Sequence, residues 1–168
     1  MEKLPKDSAE GGEDGRLIQR FQFGPWVFSI DRALTLIAEA PREAGVVNVL
    51  PTARFYGLDA MEGDEATSLF SPMRLDREYA MTTDLDTPVL VATALNEDGH
   101  DYHLLIDGIH RLYRAYTEGV EELPAYFLTL EESQAIREDP FAGSPLYWPS
   151  YDPVRYDELP PEAGSENE

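Results

Sequence analysis

Five consecutive residues, Asp107-Gly108-Ile109-His110-Arg111, bring together a carboxylate, a glycine, an imidazole and a guanidinium. The run Tyr102 to Ile106 ahead of them is apolar and predicts a strand. Ile109, Leu112, Tyr113 and Tyr116 behind them fall at helical spacing. Gly108 therefore sits at a strand-to-helix turn, where the missing Cβ lets the backbone bend and approach a ligand closely. The first N–H groups of the helix lack intrahelical acceptors, and the helix dipole favours an anion there. Arg111 adds a planar fork that matches phosphate oxygens. Arg114, three residues on, either widens the cationic face or answers Glu118. His110 can donate, accept or carry a proton near neutral pH. Asp107 orients His110 or Arg111, or holds a Mg2+ ion that bridges phosphates.

The chemistry these types assemble is phosphate binding by Gly108, Ile109, His110, Arg111 and Arg114, with proton handling by Asp107 and His110. A plainer account uses the same residues. Asp-Gly makes a common turn, Asp107 caps its helix, and Arg111 pairs with Glu118 or Glu122 at the surface. Asp84 and Asp86 are weaker candidates for Mg2+, with a solvated turn as their plainer reading. His100 and His103 flank a turn without the spacing of a zinc site.

The elements that must position these residues follow from periodicity and breakers. Leu17–Phe23 and Trp26–Ile30 are strand candidates around Gly24-Pro25. Asp31 to Ala40 reads as a helix capped by Ser29 or Asp31, with Ala33, Leu34, Ile37 and Ala38 on one face and Pro41 as its stop. Val46–Leu50 reads as a short strand closed by Pro51. Asp64 to Leu69 is read as a helical turn, and Arg77–Met81 as a short helix. Val89–Leu95 and Tyr102–Ile106 form a hairpin across the Asn96–His100 turn. Gly119 ends the helix that follows Gly108. Leu123–Leu130 is a further strand, and Thr129 with Glu132 makes a capping box for a helix from Glu131 to Glu138, stopped by Pro140. Strands mixed with helices in this order predict an α+β fold.

The chain has 168 residues, which fits one domain over 16–152 between a disordered acidic arm (1–15) and a disordered acidic tail (153–168). Tyr147, Trp148 and Tyr151 are read as packing back on the core. With no cysteine, thiolate metal sites, disulfides and cysteine nucleophiles are excluded. No secretory h-region or membrane-length apolar run is found, so a soluble cytoplasmic protein without a membrane partner is expected. The net charge of −20 repels duplex DNA and leaves room for a small phosphate ligand in a local cationic pocket.

The stretch Pro88-Val-Leu-Val, Leu105-Ile-Asp-Gly-Ile-His-Arg-Leu-Tyr-Arg-Ala-Tyr, Gly119 and Leu123-Pro-Ala-Tyr-Phe-Leu resembles the core of the ParB/sulfiredoxin superfamily. There a strand precedes a Gly-x-x-Arg turn, and a helix ends in Gly before a strand that opens with Pro. The resemblance covers about residues 84 to 130 and implies a ParB/sulfiredoxin-like mixed sheet flanked by helices. Sulfiredoxin's catalytic cysteine position is Ile109 here, which removes its repair chemistry. The CTP-binding ParB turn, Gly-Glu-Arg-Arg, is Gly-Ile-His-Arg here. The Asp-Gly-x-His-Arg members, which include free serine kinases and plasmid ATPase/nuclease proteins, are closer. They imply that Gly108, His110 and Arg111 contact nucleotide phosphates while Asp107 assists catalysis. The upstream glutamate base of the kinases has no assigned counterpart. The expectation is an ATP-type nucleotide-binding protein, with Mg2+, that hydrolyses the nucleotide or transfers phosphate to a small-molecule acceptor. The alternatives are a ParB-like nuclease and a non-enzymatic acidic adaptor or DNA mimic.

Overall fold

The computed structural model describes residues 19–61, 63, 65–67, 72–96, 99–140 and 147–148. The acidic arm and tail, and Tyr151, lie outside the described residues. The first elements are a hairpin of β1 (Arg20–Phe23) and β2 (Trp26–Ser29), then α1 (Ile30–Glu39), β3 (Gly45–Asn48) and α2 (Val49–Phe55). A single 3-10 turn, Leu58–Ala60, leads to a small ribbon of β4 (Glu65–Thr67) and β5 (Pro72–Arg74) and to the short α3 (Arg77–Ala80). The central part comprises β6 (Val89–Asn96), β7 (Asp101–Asp107), α4 (Ile109–Glu118) and β8 (Glu122–Phe127). Helix α5 (Leu130–Ala135) and β9 (Tyr147–Trp148) complete the described chain.

The main sheet runs β3-β8-β6-β7, with β9 also pairing to β6. Strand β6 is antiparallel to β7 and parallel to β8, while β3 is antiparallel to β8. The fold is therefore α+β with a mixed sheet. Val89, Leu90, Val91, Ala92, Thr93 and Ala94 are all buried, so β6 is covered on both faces. A strand buried that way reads as a continuous apolar run, as this one does. Helix α4 turns Leu112 and Ala115 into the core and packs on α2 and α3. Helix α5 packs on β6, where the Ser133 hydroxyl accepts the Thr93 N–H at 2.8 Å.

Several expectations need correction. Val49 and Leu50 open α2 rather than closing β3, and Pro51 lies inside that helix. Proline is tolerated there because first-turn N–H groups have no intrahelical acceptor. Residues 65–67 are strand, not helical turn, because they pair with 72–74. In α1 the inward stripe is Ile30 and Ala33 with Leu36 and Ile37, while Leu34 is 45% exposed. The last helix stops at Ala135 rather than Glu138. Its continuation is drawn to β2, where the Ser29 N–H donates to the Ile136 carbonyl at 2.8 Å and Arg137 bridges to Phe28.

That seam contains a buried ion pair. Arg137 donates through Nε and Nη2 to the two carboxylate oxygens of Asp139 at 3.0 and 2.7 Å. Asp139 also accepts the Val27 N–H at 3.2 Å. The other end of the hairpin is held by aromatics. Phe23 stacks on Phe21, Trp26 and Phe55, with ring centroids 6.1 to 6.2 Å apart.

Candidate functional site

Strand β7 delivers Asp107 to its last position, and Gly108 turns the chain into α4. Gly108 has φ +108, a region L side chains rarely adopt, and no side chain caps the helix it opens. Space makes a second demand. A Cβ at Gly108 would lie 2.5 Å from Cγ1 of Val89, the first residue of β6. The turn is thus pressed against the start of the central strand, and only glycine fits.

Arg111 lies one turn into α4, and its guanidinium reaches back under the turn. Its Nη1 donates to the Thr87 carbonyl at 2.8 Å and the Pro88 carbonyl at 2.6 Å. Its Nη2 donates to Oδ2 of Asp107 at 3.2 Å. The fork expected to hold phosphate is therefore engaged in tying α4 to the lead-in of β6. The partner is Asp107, four residues earlier, and not Glu118 or Glu122 as the plainer account has it. Arg114 answers Glu118 through Nε at 3.0 Å and also donates from Nη1 to the Thr83 carbonyl. Of the two roles open to Arg114, the structure gives the ion pair.

His110 points to α3. Its Nε2 accepts the Asp76 N–H at 3.3 Å, and its ring meets the Tyr79 ring edge-on, with centroids 5.0 Å apart. Burial pushes the imidazole below its ordinary value, against the upward pull of the Asp76 and Asp107 carboxylates. A neutral ring also suits the hydrogen bond, because Nε2 can accept only while unprotonated. Asp76 in turn caps α3, taking the Tyr79 N–H on its side chain at 2.9 Å.

Asp84 and Asp86 shape the approach to the site. Asp84 accepts the Asp86 N–H at 2.9 Å and the Thr87 hydroxyl at 3.3 Å, forming a turn closed by its own side chain. Among the described residues no cluster of three or more His, Asp or Glu converges in a way that would cage a metal. A Mg2+ ion here could take Asp107 as one ligand and would need phosphate oxygens and water for the rest of its shell.

The structure thus gathers Asp107, Gly108, Ile109, His110 and Arg111 as expected, and adds Asp76, Tyr79, Thr87, Pro88 and Val89. Asp76 and Tyr79 escaped the sequence reading because they reach His110 over 34 and 31 positions with no local pattern to announce it. The only signal was an Asp of capping type directly before a short helix. Two grooves, of about 310 and 230 Å3, lie between α1 and α5 and between α2 and β7. Neither is lined by residues 107–111, all five of which are half-buried.

Comparison with protein-family models, with curated proteins and with solved structures finds no match for this chain.

Proposed function

We propose that the chain binds the phosphate groups of a nucleotide at the Asp107–Gly108 turn and the first turn of α4, and hydrolyses or transfers the terminal phosphate. One observation carries the reading. Gly108, fixed at φ +108 against Val89, opens a ten-residue helix whose N-terminus has no side-chain cap. Amides so placed favour an anion through both hydrogen bonding and the helix dipole. The resemblance to ParB/sulfiredoxin proteins supports the same use of Gly108, His110 and Arg111, and with it a fold of that type.

Each residue has a role in this reading. The amides of Ile109, His110 and Arg111 hold phosphate oxygens. Arg111 and Asp107 brace the turn, and the Arg111 charge favours the anion at short range. His110 takes the proton of the attacking water or hydroxyl as the phosphate bond forms, and the nucleoside diphosphate leaves. For that step Nε2 must release the Asp76 N–H, so proton transfer is linked to a shift of α3. Mg2+ bound to the nucleotide would supply shielding of the phosphate charge.

The test is calorimetric titration of the full chain with ATP, ADP and CTP, with and without Mg2+, on the parent and on Asp107→Asn. Removing the carboxylate takes negative charge from beside the phosphates, so affinity rises severalfold. No binding by the folded chain ends the nucleotide reading. A second reading rests on the engagement of Arg111. Its bonds to Thr87, Pro88 and Asp107 close the turn without any ligand, as in a non-enzymatic acidic adaptor that keeps the scaffold alone. Nucleotide binding without turnover in either protein would favour that reading.

A further inference from the structure

The groove between α2 and the outer edge of β7 holds about 230 Å3 and lies apart from the α4 turn. Its walls include the partly buried rings of Phe55 and Tyr102, with Pro51 and Thr52 at one side and His103 at the other, and the buried Tyr56 ring backs them from the core. The rings stand at steep angles to one another. Phe55 meets Tyr56 at 87° with centroids 5.0 Å apart, and Tyr102 at 57° with centroids 6.4 Å apart. They are also held in place. Phe23 stacks on Phe55 at 6.1 Å, and the buried Tyr56 hydroxyl donates to the Leu105 carbonyl at 2.5 Å. No lysine or arginine is among the lining residues.

From these rings, their fixed angles and the charge of the molecule, we infer that the groove binds a small quaternary ammonium compound, a trimethylammonium group on a short carbon arm. Aromatic faces carry negative quadrupole charge and attract a cation without charging it a full desolvation cost of ion pairing. The net charge of −20 concentrates cations around the chain and repels anions. A phosphate-bearing lipid headgroup is disfavoured by the same field, so the occupant is the free molecule. The volume suits one such head with its arm.

Choline is the probe, and its neutral analogue with carbon in place of nitrogen is the control of equal shape. The full chain is titrated with each while the ring resonances of Phe55 and Tyr102 are followed. Saturable shifts are expected with choline, and binding at least about tenfold weaker with the neutral analogue. Tyr102→Leu should lose the choline response, and Tyr102→Phe should keep it, which separates loss of the ring from loss of the fold. Equal binding of the two compounds overturns the inference, because the groove then reads shape and apolarity alone. So does choline binding that survives Tyr102→Leu, or the absence of any shift in the folded parent. None of these outcomes depends on the α4 turn.

Discussion

The Arg137 and Asp139 side chains are 1% and 0% exposed, whereas those of Arg111 and Asp107 keep 13% and 36%. The first pair is bidentate and sealed between the N-terminal hairpin and the end of α5. The second makes one carboxylate contact and directs its remaining hydrogen bonds to carbonyls before β6. The same two residue types thus serve as an internal clip in one region and as an open brace in the other. Burial decides the difference. Both side chains of the clip are sealed from water, so its two charges are compensated inside the protein, Asp139 by Arg137 and the Val27 N–H. At the brace, Asp107 stays open to water, which shares the work of solvating it.

That contrast can be broken in four ways, taken from the largest effect down. Asp139→Ala leaves the Arg137 guanidinium buried without its carboxylate and should cost about 3–5 kcal/mol in urea unfolding. A loss under about 1 kcal/mol would mean that the clip is solvated after all. Gly108→Ala puts a methyl group into Val89 and a Cβ at φ +108, with an expected loss of about 2–3 kcal/mol by thermal or chemical denaturation. A neutral result would show that the turn is not held as described. Arg111→Ala removes charged hydrogen bonds that are partly exposed, and roughly 1–2 kcal/mol should follow in the same assay. A cost equal to that of Asp139→Ala would erase the distinction between brace and clip.

The smallest effect concerns pH. His110 has a folded value lowered from 6.5, so the folded state favours the neutral ring. Its contribution is complete above the unfolded value and is lost as pH falls from there through the lowered folded value. Stability should therefore drop slightly more in the parent than in His110→Ala across that window. The Asp76 amide resonance should report the same titration. An identical pH profile in the variant would sever His110 from α3.

Much of the central part was legible in the sequence because its signals are local. The Val89–Leu95 run, its antiparallel partner strand, the periodic face of α4 and Gly119 all act over a few residues, while residues 97–98 of the expected Asn96–His100 turn lie outside the described residues. The capping box formed as expected, with the Thr129 N–H donating to Glu132 at 2.9 Å and the Glu132 N–H to the Thr129 hydroxyl at 3.1 Å. The candidate site was legible in its membership and not in its wiring. Asp107 through Arg111 gather because they are consecutive. That Arg111 turns to the carbonyls of Thr87 and Pro88 depends on where β6 begins in space. The misread elements share that cause. Val49 and Leu50 are apolar in either state, and residues 136–139 leave helix because a distant strand offers better partners. Tertiary contacts chose between local forms of similar propensity.

The hairpin seam also sets an order of assembly. Val27 and Asp139 are 112 residues apart, and Arg20 and Glu138 are 118 apart. The β6–β7 hairpin, by contrast, closes across one short turn. Loop-closure entropy grows with length, so contacts of long span tend to form after local ones. The hairpin–helix unit from β6 to α4 is therefore expected to gather early and the N-terminal hairpin to dock late. In pulsed hydrogen exchange the amides of β6 and β7 should be protected before that of Ser29, and the reverse order would refute this sequence of events. A chain emerging N-terminus first would then hold the Val27–Ser29 edge of this hairpin without its seam partners until Ile136 to Asp139 had been made.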